Sequence, residues 1–225
     1  MSVPPPYPRI PHLVPGRGTR DDRVLAAEEV AAFLARPVVV EEKLDGANVV
    51  LWLEDGRVEC ALRAGLGAAD RARQLGPLRA WIGERSDELR SLLESDLALY
   101  ADWLYLTHTV AYERLPSYLM ALDLRRPDGS FLTVDERTAT CAEAQLCVPA
   151  ELWRGVAGRV EAVEGLVGPS RYADAPAEGV VVRPLDGAEP RIAKLVRSGF
   201  DRLTDDAWAG GRPRNRLAGR EASWR

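Results

Sequence analysis

The 225-residue chain has little cysteine, little histidine and no long apolar run, and each shortage excludes a class of protein. Cys60, Cys141 and Cys147 form no Cys-x-x-Cys pair, so we expect neither a disulfide framework nor a zinc site. His12 and His108 lie far apart in the sequence and are expected to be packed residues. Without a run of ~20 apolar residues or a secretory signal, we expect a cytosolic protein with no membrane contact.

An excess of positive charge is also missing. The chain carries 30 lysines and arginines against 34 acidic residues, so it lacks the overall basic character that nucleic-acid binding usually requires. The exception is the stretch 209–225, which contains one glutamate and the arginines Arg212, Arg214, Arg216, Arg220 and Arg225. We expect a solvated tail there, and the alternative is a set of contacts to a phosphate backbone.

The apolar pattern predicts an α+β fold of antiparallel sheets flanked by helices. The β-branched runs predict strands at residues 37–42, 48–53, 57–63, 97–106, 118–124, 131–134, 180–183 and 191–196. Helical spacing predicts helices at residues 22–35, 71–95 with a break at Gly76-Pro77, 135–146 and 156–166. Asp45-Gly46 and Asp55-Gly56 are predicted to form hairpin turns, which would make the first three strands consecutive neighbours.

The segment EEKLDGAN, residues 41–48, places Lys43 beside the Asp45-Gly46 turn. A lysine at such a position can be partly desolvated and still reachable by a ligand, as a covalent nucleophile must be. A free lysine has a pKa near 10.4, so only about one amine in 2,500 is neutral at pH 7 unless burial or a nearby cation lowers the pKa. Because the tetrapeptide Lys-x-Asp-Gly also fits an exposed turn lysine, the inference depends on the rest of the chain.

Further motifs follow Lys43 in a fixed order. They are Arg63 at a strand end, Asp102-Trp103, the strand at 118–124, EGVVVR at 178–183 and IAKLVR at 192–197. This set resembles the covalent nucleotidyltransferases, the superfamily of ATP-dependent ligases and capping enzymes. It is most similar to the nick-sealing type of RNA ligase, because Asn48 matches an asparagine that this type carries five residues after its lysine. The likeness spans about residues 5–200 and includes the stretches 7–13, 106–116 and 168–170.

The resemblance implies an adenylyltransferase domain of the RNA/DNA ligase type, with an ATP-grasp-like fold, over residues 21–200. Residues 1–20 would be an extended Pro-rich segment, and residues 201–225 a basic tail with no additional domain. The implied reaction starts when Lys43 attacks the α-phosphate of ATP. AMP then passes to the 5′-phosphate of an RNA end, and a 3′-hydroxyl displaces AMP to seal the strand.

The resemblance also assigns roles to individual residues. Lys43, Glu178 and Lys194 are expected to be catalytic, and Glu178 and Asp45 would hold Mg²⁺, with Mn²⁺ as the alternative ion. The residues expected at the nucleotide or the 5′-phosphate are Glu42, Leu44, Asp45, Asn48, Arg63, Asp102, Leu122 and Arg183.

Three positions depart from the family pattern. Asp102 stands at a position where the family has a glutamate that binds the ribose. Leu122 replaces a phenylalanine that stacks on adenine in the family. Lys194 is a single lysine in a motif where two lysines are common. The expected partners are RNA ends or a nicked duplex. Strand sealing would then require a partner protein that supplies nucleic-acid binding, the basic tail, or contacts made by the domain itself. Two alternatives stay open. One is nucleotidyl transfer to another acceptor, such as a DNA nick or a cap formed from GTP, and the other is a nucleotide- or RNA-binding module with a decayed site.

Overall fold

The computed structural model describes residues 3–16, 22–63, 68–187, 189, 191–201, 203 and 211–219. The helices in this part of the chain are α1 (Ala27–Leu34), α2 (Ala68–Glu84), α3 (Ser86–Leu93), α4 (Val134–Glu143) and α5 (Val160–Glu164). The strands are β1 (Pro37–Lys43), β2 (Ala47–Glu54), β3 (Arg57–Leu62), β4 (Ala98–Trp103), β5 (Leu119–Arg125), β6 (Glu151–Val156), β7 (Gly179–Pro184) and β8 (Ala193–Val196). None of the described helices combines the length and apolar character needed to cross a membrane.

The strands form two four-stranded antiparallel sheets, which confirms the predicted α+β class. Sheet A has the order β6-β1-β7-β8, and sheet B has the order β3-β2-β4-β5. Each sheet has an apolar core on its outer face. Helices α2 and α3 cover sheet B with residues such as Trp81 and Leu93, while Phe33 and Leu34 of α1 pack on Val38 and the other core residues of sheet A.

The predicted hairpin at Asp45-Gly46 is wrong, because β1 and β2 belong to different sheets. The pair is instead a crossover that carries the chain from sheet A to sheet B. A Cβ at Gly46 would lie 2.5 Å from Leu104 Cδ2 and 3.2 Å from the Trp103 carbonyl oxygen, so a glycine lets the chain pass the end of β4. The second hairpin is confirmed, with positive φ angles of 49° at Asp55 and 73° at Gly56 between β2 and β3.

Four other predicted elements are corrected. The strand predicted at 131–134 is only an isolated bridge between Phe131 and Arg125, and α4 already begins at Val134. Helix α1 starts only at Ala27, because the chain before it pairs with the backbone of His12. Helix α2 runs through Pro77, since its apolar face is buried against sheet B and outweighs one lost hydrogen bond. The predicted helix at 156–166 is reduced to α5, and β6 precedes it. That strand lies at a sheet edge and has no fully buried residue, so its pattern is weak.

A network of buried charges joins the two sheets. Glu41 of β1 accepts hydrogen bonds from Arg137 of α4 and, at 2.8 Å, from Nε of Arg183 in β7. Nη1 of Arg183 also donates to both carboxylate oxygens of Asp123 in β5, at 2.9 and 3.0 Å. Burial alone would raise the pKa of Asp123, but the guanidinium groups of Arg183 and Arg191 outweigh it and hold this pKa below its usual range. The network therefore ties sheet A to sheet B inside the cleft between them.

The N-terminal segment fills the cleft next to this network. The ring of Tyr7 packs against Tyr100 and Phe131, and its hydroxyl donates to Asp123. Burial and the neighbouring Asp123 carboxylate raise the pKa of Tyr7 to about 12. Farther along, residues 11–13 hydrogen-bond to Lys194 of β8 and so extend sheet A.

Residues 211–219 form a C-terminal strap, so the predicted solvated tail is wrong for this segment. Asn215 is only 2% exposed, and its side-chain oxygen accepts from the Thr107 hydroxyl at 2.8 Å and the Tyr112 N–H at 2.9 Å. Its amide group donates to the Leu104 carbonyl at 2.8 Å. Arg212 is buried as well, whereas Arg220 and Arg225 lie outside the described residues. The strap thus fixes the loop 104–118.

We predict that Asp123→Asn lowers the free energy of unfolding by about 3–5 kcal/mol, because it removes the carboxylate of Arg191 and one of the two carboxylates of the buried Arg183. Urea titration at pH 7 measures the loss. The control is Asp135→Asn, which removes an exposed partner of Arg154 and should cost less than about 1 kcal/mol. Because the pKa of Asp123 is lowered by folding, its stabilisation is present above about pH 4 and is lost as the pH falls further. Equal losses in the two variants would contradict the prediction.

We predict that Asn215→Ala costs about 2–4 kcal/mol, because it leaves the Thr107 hydroxyl, the Tyr112 N–H and the Leu104 carbonyl without a partner. Arg216→Ala is the matched control within the strap, since that side chain is exposed, and it should change stability by less than about 0.5 kcal/mol. Thermal unfolding of both variants checks the difference. A destabilised Arg216→Ala variant, or an unaffected Asn215→Ala variant, would show that the strap is held in another way.

Candidate functional site

The crossover between the sheets brings predicted site residues together at one end of the cleft. Lys43 is the last residue of β1, and it pairs with Gly179, directly after Glu178. On the facing sheet, Asn48 of β2 pairs with Asp102 of β4. Residues that are separated by up to 135 positions in the chain therefore surround one lysine.

Lys43 and Glu178 form an ion pair with a distance of 2.9 Å from Nζ to Oε2. The lysine side chain is 13% exposed and the glutamate side chain 1%. The ammonium also donates to the Leu44 carbonyl at 3.3 Å. The amine is thus partly desolvated, oriented by two acceptors and still reachable from solvent.

The glycine after Glu178 is required by close packing of the backbone. A Cβ on Gly179 would lie 2.0 Å from the Leu195 carbonyl oxygen and 2.8 Å from Val196 Cα. Only glycine lets β7 and β8 approach at this point. The backbone carbonyl of Glu178 then accepts from the Arg197 N–H at 3.0 Å, which fixes the start of β7 beside Lys43.

Negative charge exceeds positive charge around the lysine. The pKa of Asp102 is raised to about 6, first by burial and then by the neighbouring carboxylates of Glu178 and Asp45. The ammonium of Lys43 and a hydrogen bond from Asn48 act in the opposite direction without cancelling the shift. The site therefore carries an excess of negative charge, which a bound cation would neutralise.

Asp45 holds the loop 104–118 against the crossover. Its Oδ2 accepts from the backbone N–H of Thr109 and, at 3.1 Å, from that of Val110, and its own N–H donates to the Tyr112 hydroxyl at 2.8 Å. The C-terminal strap fixes the same loop through Asn215. Sequence reasoning did not find Asn215 as a positioning residue, because no local pattern indicates a partner more than 100 positions away.

Lys194 lies on the same face of sheet A as Lys43. It pairs with Val181, which pairs with Glu41, and directly opposed residues of neighbouring strands point to one side of a sheet. Its ammonium forms an ion pair with Asp22 in the N-terminal segment. The two residues are the only lysines in the chain, since every other basic residue apart from the two histidines is arginine.

Three predicted nucleotide contacts are corrected by the structure. Glu42 points to the opposite face of β1, where its carboxylate accepts from the Ser170 hydroxyl and the Arg171 N–H. The Leu44 side chain is 3% exposed within the core of sheet B. Arg183 is 4% exposed and saturated by its carboxylate partners in the cleft, so it is not available to an RNA 5′-phosphate.

Two other predicted contacts lie on the border of the site. Arg63 is exposed just after β3, and its N–H donates to the Asn48 carbonyl at 2.9 Å. Leu122 sits at the register shift of β5, is partly buried and packs with the cluster around Tyr7 and Tyr100. The roles of Arg63 and Leu122 toward a nucleotide stay predictions.

No group of three or more metal-ligating side chains exists among the described residues.

Comparison with known proteins identifies the fold and the family. Variants of the Naegleria gruberi RNA ligase solved with ATP and Mn, and with AMP and Mn, align with TM-scores of 0.56 and 0.53 at 20% and 17% identity. They cover 72% and 73% of this chain, and 50% and 51% of the ligase chains. The same ligase with PPi gives a TM-score of 0.55 at 19% identity, covering 72% of this chain and 50% of that chain. This chain therefore corresponds to about half the length of those ligases.

A search of curated proteins gave no match. The family model described as RNA ligase matches residues 36–196, a range that contains every strand of both sheets and the whole cluster around Lys43. The chain belongs to the RNA ligase family.

Proposed function

We propose that the chain is the adenylyltransferase domain of an ATP-dependent RNA ligase, in which Lys43 carries AMP. The observation that supports this most directly is the partly buried Lys43 ammonium, 2.9 Å from Glu178 and surrounded by further carboxylates at the open end of the cleft. Such a pocket is complementary to a nucleotide that arrives with a cation. The RNA ligase family match supplies the substrate class.

In the first step, Nζ of Lys43 forms a bond to the α-phosphorus of ATP. The bond from that phosphorus to the α–β bridging oxygen breaks, and pyrophosphate leaves with the electron pair. The ammonium gives up one proton before the attack and one after it, and Glu178 is the nearest carboxylate to accept the first. The product is AMP joined to the lysine nitrogen.

In the following steps, an oxygen of an RNA 5′-phosphate attacks the same phosphorus and releases Lys43. The 3′-hydroxyl of the other RNA end then attacks the activated 5′-phosphate, and AMP leaves. We assign the contact to the 5′-phosphate to Asn48, which lies in the site, and not to Arg183, which is buried in the inter-sheet network.

A divalent ion fits the charge of this pocket. Mg²⁺ is usually held by one or two carboxylates together with substrate phosphates, and keeps several of its waters. Glu178 and Asp102 are the residues that would hold it, since one oxygen of Asp45 already accepts two backbone N–H groups. When bound, Mg²⁺ or Mn²⁺ neutralises charge on the phosphate oxygens. Asp102, whose pKa of about 6 shows that its charged form is disfavoured, would then ionise more easily.

The alternative is a nucleotide-binding module with a decayed site, and the ion pair between Lys194 and Asp22 favours it. In that case ATP binds, but no pyrophosphate is released and no AMP remains on the protein. Transfer of GMP, or sealing of DNA, would be detected by the same assays with other substrates. A cytosolic location and a partner protein that supplies nucleic-acid binding stay predictions.

We predict that incubation with ATP and Mg²⁺ adds one AMP to the protein and that Lys43→Ala abolishes the addition. Intact-mass measurement detects the adduct, and the low lysine content makes peptide mapping unambiguous. Lys194→Arg is the matched control, because it keeps a cation on the same face of sheet A and leaves Lys43 in place. The adduct should still form in that variant. An adduct at Lys194, or none in the parent protein, would refute the proposed chemistry.

We predict that Asp102→Asn stabilises the protein in the absence of nucleotide and that the gain depends on pH. The folded protein keeps the Asp102 proton up to about pH 6, whereas the unfolded chain releases it near pH 4, so ionisation costs the folded state stability between these values. The gain should therefore be absent below about pH 4, grow up to about pH 6 and then stay constant. Urea titrations across this range measure it, and a gain that does not depend on pH would contradict the assignment.

A further inference from the structure

An open concavity of about 570 Å³ lies at the outer edge of sheet B, away from the proposed reaction. The start of β3 forms one wall, and the neighbouring surfaces of α2 and α3 form the other. We call it the edge groove. Three arginines line it, Arg57, Arg79 and Arg90, together with one carboxylate, Glu59.

The three arginines are exposed, and none forms an ion pair with any residue that the structure describes. Some other surface arginines are paired, since Arg126 pairs with Glu136, and Arg154 pairs with two carboxylates. Others, such as Arg159 and Arg216, also have no ion pair with a described residue, but the edge groove brings three arginines together. The edge groove is therefore a local concentration of uncompensated positive charge on a chain whose net charge is −4. An anionic ligand would supply the missing partners.

The position of the edge groove relates it to the cleft. Strand β3 is the edge strand of sheet B, and it runs from Arg57 in the groove towards Arg63, whose backbone N–H binds the Asn48 carbonyl in the site. Six residues of extended chain span about 20 Å. The groove begins at Arg57 and the Lys43 site lies beyond the opposite end of the same edge strand.

We propose that the edge groove binds the phosphate backbone of the RNA substrate at a distance from the reacting end. This inference depends on the proposed function, because it assumes that the ends to be joined lie at Lys43. Guanidinium groups bind phosphates through paired hydrogen bonds, and an open groove suits a continuous strand better than an enclosed small molecule. At roughly 3.4 Å per stacked nucleotide, about 20 Å places the contact on the order of six nucleotides from the nick.

The test uses the whole chain and two nicked RNA duplexes, with arms of about 4 and about 12 base pairs on either side of the nick. Binding is measured by fluorescence anisotropy without ATP over a range of salt concentrations. The triple variant Arg57→Gln, Arg79→Gln, Arg90→Gln should bind the long duplex roughly tenfold more weakly and reduce the slope of log K against log salt by about 2–3. The short duplex does not reach the groove, so its affinity should not change.

Two matched variants separate charge from other effects. The triple variant Arg57→Lys, Arg79→Lys, Arg90→Lys keeps the charges and should stay within about threefold of the parent protein on the long duplex. Glu59→Gln removes the one carboxylate of the groove and should strengthen binding of the long duplex. A thermal unfolding midpoint and AMP uptake from ATP alone verify that each variant is folded.

The outcomes distinguish this inference from the proposed function. Two results would refute RNA binding by the edge groove and leave the ligase proposal intact. One is that the glutamine variant loses the same affinity for the short and long duplexes. The other is that it loses no affinity although the parent protein binds both. A parent protein that takes up AMP but binds neither duplex would refute the RNA substrate and with it this inference. The contact would be established if the glutamine variant binds only the long duplex more weakly and the lysine variant keeps the affinity of the parent protein.

Discussion

The buried network of Glu41, Arg137, Arg183 and Asp123 is the constraint on which the site depends. The two sheets have separate cores on their outer faces, and the short crossover after Lys43 joins β1 to β2. In the cleft between the sheets, the apolar cluster around Tyr7 and Tyr100 packs beside the buried charges. The network spans that cleft from β1 and β7 to β5 and α4. Because an unpaired buried charge is costly, only a narrow range of sheet separations satisfies all four groups. Lys43 and Asp102 extend from opposite sheets at a separation set in this way.

A second chain of contacts holds Lys43 from the other side. The C-terminal strap positions the loop 104–118 through Asn215, and that loop in turn binds both the carboxylate and the backbone N–H of Asp45. Asp45 lies two residues after Lys43, so the C-terminal strap acts on Lys43 through Asp45. The C-terminal strap, which the sequence predicts to be part of a solvated tail, therefore supports the site.

The sequence was informative where structure is local and uninformative where it is long-range. The β-branched runs predicted β1, β2, β3 and β7. The long-range meeting of Lys43 and Glu178 was predicted only through the family resemblance and not from any local pattern. The same sequence predicted a hairpin at Asp45-Gly46, because an Asp-Gly pair looks alike in a turn and in a crossover. Arg183 was expected at a ligand because of the family resemblance, and the sequence gives no local sign of its partner Glu41, which lies 142 positions away in the chain.

The restriction of lysine to two positions on one face of sheet A has a practical consequence. Amine-directed reagents, such as activated esters used for dyes or for coupling to surfaces, find side-chain targets only at Lys43 and Lys194. Modification of either would remove an ammonium from the cleft face, so such conjugation blocks the site and not the periphery. Thiol-directed attachment at Cys60 avoids this face, because Cys60 lies on β3 at the far edge of the other sheet, although it lines the edge groove.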